Sequence, residues 1–249
     1  NAIGIGGDFF LFHPLKLITG SYFSGNDLMQ DYCIIDQDAA WQLFGSNDVV
    51  GMTVYIGNVP HIVTGVVRRP QGRMEKAAGL TSTVVYVSYE TLEAYGTNNG
   101  INHYEIVMPN PVDEFAYGKV KEGIGIDEKN VEIVENSRRY SLPNRIKTIL
   151  AFGTRSMNGK KKDVAQVSCF FSSKAEVTED TIQSFEYSLK NVLQEASITE
   201  TSENPSARLW VDAYSADGKI TLVNGRNTLD ANAIGIGGDF FLFHPLKLI

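Results

Sequence analysis

Residues Asn1–Ile18 read NAIGIGGDFFLFHPLKLI, and Asn232–Ile249 repeat them letter for letter. This duplication constrains the fold more than any other feature, because one structural slot cannot be filled twice. Three origins compete. A natural structural repeat drifts in sequence and recurs along the whole chain, whereas this one is exact and confined to the two ends. A binding motif used twice meets the same objection. A rearranged chain, cut inside this segment with the piece kept on both sides, accounts for both facts. It predicts that Ile249 reads on into Thr19, and that a seam lies where the original ends were joined. The polar, featureless NGKKKD around Gly159–Lys162 suits that seam. The order is then 163–249 followed by 19–159.

In that order strands and helices alternate. VAQVSCFFSS is rich in β-branched and aromatic residues and predicts a strand. In VTEDTIQSFEYSLKNVLQEA, Ile182, Phe185, Leu189, Val192, Leu193 and Ala196 fall on one helical face, Thr178 can cap the start, and Glu179 and Asp180 suit the first turn. ARLWVDAYSADGKITLVNG predicts a hairpin turned at Asp217–Gly218. The duplicated segment follows as strand or loop, broken by Pro14 or Pro245. A strand at YCII leads into a short helix capped by Asp36 and ended by Gly45. GMTVYIGNVPHIVTGVVRR predicts a second hairpin. QGRMEKAAGLTS predicts an exposed loop, and TVVYVS and YETLEAYG a strand and a short helix closed by Gly96. HYEIVMP, VDEFAYGKVKEGI and NVEIVEN follow as strand, helix and strand, and a basic amphipathic helix covers about 144–152. The fold class predicted is α+β: a porter-like subdomain of two βα-type units, 164–224 and 103–135, plus an inserted β-rich subdomain. The boundaries are 19–31 and 84–249 for the first, with its seam near 159–162, and 32–83 for the second, leaving 1–18 as the duplicate of 232–249.

Hydrophobic residues make up 43% of the chain, enough for a real core and too many for a disordered segment. No run of 18 apolar residues predicts a membrane span, and the Gly-rich apolar opening does not read as a signal peptide. Cys33 and Cys169 lie in apolar strand-like runs and read as buried free thiols, with a disulfide as the alternative. Charge is segregated. From Arg138 to Lys162 there are eight basic residues, Arg138, Arg139, Arg145, Lys147, Arg155, Lys160, Lys161 and Lys162, and no acidic one. The remainder carries 14 basic against 29 acidic residues. Such segregation marks either a solvated basic face or a surface that meets something anionic. Nucleic acid is not expected as the partner, because it fits less well: the acidic body repels phosphate. Anionic lipid headgroups fit better, at about 1 kcal/mol per Lys or Arg near the surface.

No catalytic constellation is visible. GIGGD lacks the spacing of a dinucleotide fingerprint and the Gly-Lys-Ser/Thr of a nucleotide loop; tight backbone packing or a turn explains its glycines better. His13, His244, His61 and His103 have no second ligand at metal spacing and read as half-buried strand or loop residues. The serines of GSYFSGND lack a nucleophile elbow. The acidic pairs before Phe115 and Lys129 read as helix starts, and Phe9, Phe10, Phe12, Trp41 and Phe44 as core. Catalytic, cofactor and metal residues are therefore expected to be none.

AAWQLFGSNDVVGMTVYIGNVPHIVTGVV carries a resemblance. A helix ending Leu43-Phe44-Gly45, five residues, Gly51, alternating apolar positions and a Gly65-Val66 strand are similar to the MacB-type extracytoplasmic domain of ABC transporter permeases, a class that includes FtsX-like proteins. Asp239, Phe240 and Phe241, copied as Asp8 to Phe10, and then Leu17, Gly20 and Phe23 resemble the family's preceding step. The resemblance spans nearly all unique residues, in the reordered chain. It implies a non-enzymatic domain outside the membrane, excised here from its membrane helices, that binds or gates cargo or a partner and couples to ATP-driven motion of the helices. Its implied partners are the rest of the permease and its ATPase, and a peptide, lipid-linked molecule or protein. The alternative is an FtsX-like regulator that recruits or activates a cell-wall hydrolase. In a permease both ends of the domain enter the membrane side by side, so joining them is geometrically cheap, and the basic segment beside the join becomes the membrane-proximal face. The duplicate adds a last expectation: because only one copy fits the native slot, the copies divide it within one chain or exchange between chains as a domain swap, with exchange favoured.

Overall fold

The computed structural model describes residues 16–23, 31–68, 83–110, 112, 114–135, 164–195 and 211–238. In chain order the elements are β1 (Lys16–Gly20), β2 (Tyr32–Asp36), α1 (Gln37–Phe44), β3 (Thr53–Ile56), β4 (Val59–Arg68), β5 (Val84–Ser88), α2 (Tyr89–Tyr95), β6 (Thr97–Asn98), β7 (His103–Pro109), α3 (Phe115–Gly123), β8 (Val131–Glu135), β9 (Val164–Phe171), α4 (Glu179–Glu195), β10 (Val211–Asn224) and β11 (Asn227–Gly238). The class is α+β. Two units separate: Asn1–Asn102 with Ala213–Ile249, and His103–Asp212.

In the first unit the strand neighbours run β1-β4-β2-β5-β11-β10, and β3 pairs with both β10 and β4. The strands β4, β2, β5, β11, β10 and β3 therefore follow one another in a ring. Parallel pairing joins β2 to β4 and β5 to β11; the other pairs are antiparallel. The ring is built from β-branched runs: Ile34, Ile35, Val54, Ile56, Val63, Val66, Val85 and Val87 are all buried, as β propensity favours. Asp36 caps α1 through its side chain and Gly45 ends it in the left-handed region, at φ 71°. At the other end of α1 the Asn224 and Asn227 side-chain amides both donate to the Leu43 carbonyl, at 3.1 and 2.8 Å. They satisfy an acceptor that a helix end leaves open.

The second unit holds the antiparallel sheet β7-β9-β8. Tyr104, Ile106 and Met108 of β7 and Ala165, Val167 and Cys169 of β9 share one face by strand alternation, and all are buried. Tyr104 meets Phe185 of α4 edge to face at 5.5 Å, so this face carries the helices. Gly123, the last residue of α3, lies where a side chain would press on Phe185 and Leu189. Ile182, Phe185 and Leu189 of α4 are buried at helical spacing, as the sequence predicts.

Several expectations change. The units divide at 102/103 and 212/213, rather than at 31/32 and 83/84, because β5 sits between β2 and β11 and ties 32–68 to the end of the chain. The β10–β11 hairpin turns at Gly225–Arg226, with Asn224 opposite Asn227, and not at Asp217–Gly218. Asp217 and Gly218 stay in the ladder because tertiary contacts hold them: Asn102 donates to Asp217 at 2.7 Å, and Gly218 pairs with Asn98 of β6. Trp41 is 58% exposed rather than core, since α1 buries Ala39, Ala40 and Leu43 and turns Trp41 away. Glu114 makes no cap to α3; the Asn110 side chain accepts from the Ala116 amide instead, at 3.0 Å. The helix expected at 144–152, the loop expected at 71–82, and Phe9, Phe10, Phe12, His13 and His244 lie outside the described residues.

The described parts of the duplicated segment do not overlap. Asn232–Gly238 of the second copy runs in β11, whereas Lys16–Ile18 of the first opens β1.

Candidate functional site

The eight basic residues expected to form a membrane-proximal face, from Arg138 to Lys162, lie outside the described residues. Three clusters among the described polar side chains hold groups capable of chemistry.

The first surrounds the start of α2. Ser88 accepts from the Thr91 amide as a helix cap, and its hydroxyl donates to Thr91 Oγ1 at 3.0 Å. His61 of β4 places Nε2 3.2 Å from the same Thr91 oxygen and Nδ1 3.0 Å from the Val59 carbonyl. All three side chains are buried, so His61 is more enclosed than the half-buried strand residue expected. The chain Ser88–Thr91–His61 has the residue types of a nucleophile and base, but its serine is the α2 cap and all three side chains are buried. Its chemistry is helix anchoring.

The second lies on the face of β7 and β9 opposite the helices. His103, Glu105, Gln166 and Ser168 are all buried. Glu105 Oε1 accepts from Ser168 at 3.1 Å and from Gln166 at 3.4 Å, and His103 Nε2 lies 3.7 Å from it. The His103 ring stacks on Phe170 at 4.8 Å. Sequence reading found the strands and missed this polar face. The alternation of His103 with Glu105, and of Gln166 with Ser168 and Phe170, was the available signal.

The third joins α4 to the second unit's strands. Tyr104 donates to Asp212 Oδ2 at 3.3 Å. Burial pushes the Tyr104 hydroxyl well above its ordinary value, and Asp212 and Glu186 add to that. Burial first, and then the neighbouring Asp212, raise the Glu186 carboxyl to about 8. Lys190 lies 3.5 Å from Glu186 on the next turn. A half-buried carboxyl with a raised value beside a second carboxyl favours the protonated form more than an ordinary surface glutamate does.

Cys33 and Cys169 are both free and buried, one in each unit. Burial pushes the Cys33 thiol up to about 12 and the Cys169 thiol upward too; neither is a thiolate nucleophile at neutral pH. Among the described residues no group of three metal-ligating side chains converges, and no helix is long and apolar enough to cross a membrane.

Against this geometry stand the similarities to known proteins. Residues 1–134 match the family described as MacB-like periplasmic core domain. The macrolide export ATP-binding/permease protein MacB of Chromobacterium violaceum is 31% identical over 93 residues, which cover 36% of this chain and 14% of that protein. The protein of the same description from Pasteurella multocida is 31% identical over 91 residues, 36% of this chain and 13% of its own length. The chain thus aligns with about a seventh of these relatives. No solved structure matches it.

Proposed function

The chain belongs to the family of MacB-like periplasmic core domains, and from that premise we propose that it is a non-enzymatic coupling domain of an ABC transporter permease. Its place is the extracytoplasmic face of the cell membrane. The family match over more than half the chain carries this reading. In it the domain binds or gates a peptide, lipid-linked molecule or protein, and passes the motion of the permease and its ATPase to that partner. The second unit, with α3 and α4 on one sheet, takes the part of the porter-like subdomain, and the first unit that of the β-rich one. The test uses the full-length permease that carries this domain. Deleting the domain should leave basal ATP hydrolysis and abolish its stimulation by exported compounds; stimulation that survives deletion overturns the reading. Capture of a cell-wall hydrolase by the domain, with no stimulation to lose, would select the FtsX-like alternative.

The basic residues from Arg138 to Lys162 form the membrane-facing surface in this proposal. Neutralising Arg145, Lys147 and Arg155 together should weaken binding to anionic vesicles and flatten its salt dependence, because about 1 kcal/mol per cation is lost and the remainder is screened within about 10 Å at 0.1 M salt. Unchanged vesicle binding sinks this assignment.

The reordered chain is part of the same proposal. It is supported by β11 holding the beginning of the duplicated segment and β1 its end. Exchange of copies between chains then gives oligomers, and sedimentation of the full chain beside versions lacking 1–18 or 232–249 should show association only where both copies are present. Three monomers of equal stability would make the duplicate inert.

A further inference from the structure

An asparagine followed by glycine is the amide side chain most open to attack by its own backbone, since a residue without a Cβ leaves its nitrogen unshielded and the chain around it free to turn. The sequence holds three such pairs, Asn99–Gly100, Asn158–Gly159 and Asn224–Gly225; the second lies outside the described residues. The other two sit in different settings. Asn224 ends β10 opposite Asn227, and its half-buried amide donates to the Leu43 carbonyl at 3.1 Å. Strand pairing fixes its backbone and the end of α1 fixes its side chain. Asn99 is exposed in the loop after β6, and Gly100 beside it stands in the left-handed region at φ 82°. The Gly100 amide is restrained by Asn98, whose Oδ1 accepts from it at 2.9 Å, a turn closed by a side chain two residues back. That contact occupies the nitrogen that would attack.

We propose that Asn99 is a site of spontaneous deamidation in this fold, and that Asn98 sets its rate. In the reaction the Gly100 nitrogen loses its proton to base and attacks Asn99 Cγ. The bond from Cγ to the side-chain nitrogen breaks, and ammonia leaves with a proton from water, closing a succinimide ring. Water then opens the ring. Cleavage of the bond from the Gly100 nitrogen to Cγ returns an ordinary aspartate. Cleavage of its bond to the backbone carbonyl carbon gives isoaspartate, whose chain runs through Cβ and Cγ and is one atom longer. Nothing is oxidised or reduced. The position makes that extra atom felt. On one side Thr97 and Asn98 pair with Lys219 and Gly218 of β10. On the other Ile101 is buried, and Asn102 donates from its backbone to the Ser215 carbonyl at 3.1 Å and from its side chain to Asp217 at 2.7 Å. Residues 99–101 thus span two fixed points on one strand. A longer backbone between them must part β6 from β10 or lift Asn102, the last residue of its stretch of the first unit. The inference concerns the first unit alone and stands whatever the domain binds.

The test ages the full chain in warm, mildly alkaline buffer and follows each Asn–Gly pair by peptide mapping, with isoaspartate scored separately. Asn99 should convert before Asn224, and in urea, where the fold no longer holds either, the two should convert together. Asn98→Ala should speed conversion of Asn99 by about two- to tenfold, the range that one net hydrogen bond spans, and leave Asn224 unchanged. Asn98→Asp keeps the acceptor and should stay near the unmodified rate. The aged chain should lose amide-exchange protection at Thr97 and Asn98 in proportion to its isoaspartate. If Asn98→Ala fails to fold, the comparison of folded chain with urea still decides. Conversion of Asn224 as fast as Asn99 in the folded chain overturns the proposal, as does an order that persists in urea or an Asn99 rate that Asn98→Ala leaves unchanged.

Discussion

Replacing Gly235 with valine is expected to destabilise the first unit by about 3 kcal/mol or more, at the upper end of what overpacking costs. A side chain at this position of β11 would place its first carbon 2.9 Å from Leu92 Cδ2, 3.0 Å from Leu92 Cβ and 3.1 Å from Tyr89 Cα. The last of these is backbone, so a rotamer change in Leu92 does not clear the space, and α2 itself must lift. It is poorly placed to do so. Ser88 caps its start, and at Gly96, just past its end, a side chain would meet the Leu92 and Lys219 carbonyls at 2.8 and 2.9 Å. Valine is the better strand residue, but that preference is worth at most about 1 kcal/mol and is outweighed. The urea midpoint should fall without a change in slope. The same substitution at Gly4, the matching letter of the first copy, should move the midpoint less, because Asn232–Gly238 occupies β11. Equal midpoints for Gly235→Val and the unmodified chain would show that this contact is looser than described. The result also bears on how GIGGD is understood: its first glycine in the second copy is there for the close approach of a helix, as backbone packing rather than phosphate binding predicts.

The parts legible in the sequence were those governed by neighbouring residues. Asp36 and Gly45 bracket α1 because capping and the left-handed end are local chemistry. The β3–β4 hairpin turns at Gly57–Asn58, both at positive φ, the requirement a two-residue turn imposes. What was not legible depends on partners far along the chain. Asp217–Gly218 has the composition of a turn, yet Asn102, Asn98 and Thr97 arrive from elsewhere and hold it as strand. The tighter signal, Asn224–Gly225, stood a few residues on and is where the chain does turn. Closure of the ring through β3 is invisible locally, because nothing in TVYI says that it pairs on both sides. Glu186 shows the same limit at the level of chemistry. Four residues before Lys190 it reads as an ordinary helix-surface ion pair. Its character comes from burial and then from Asp212, both of which the fold supplies.

Asp36→Ala should cost about 2–4 kcal/mol, the second large effect. The Asp36 side chain is nearly fully buried and used on both oxygens. Oδ1 accepts from the Ala39 amide at 2.8 Å and caps α1; Oδ2 accepts from the Val84 amide at 2.9 Å, where β5 begins. Loss of a cap costs about 1 kcal/mol, and a buried amide left without an acceptor about 1–3 kcal/mol more. One carboxylate thus fixes both the start of a helix and the entry of a strand that is not its neighbour in sequence. Asp36→Asn separates the two roles. Its amide oxygen still accepts at the cap, but its NH2 group then faces the Val84 N–H, donor against donor. The order of urea midpoints should be Asp, then Asn, then Ala, with Asn nearer to Ala if the β5 contact dominates. An asparagine variant as stable as the unmodified chain would mean that Oδ2 carries no part of the load, and that β5 is held by its ladders to β2 and β11 alone.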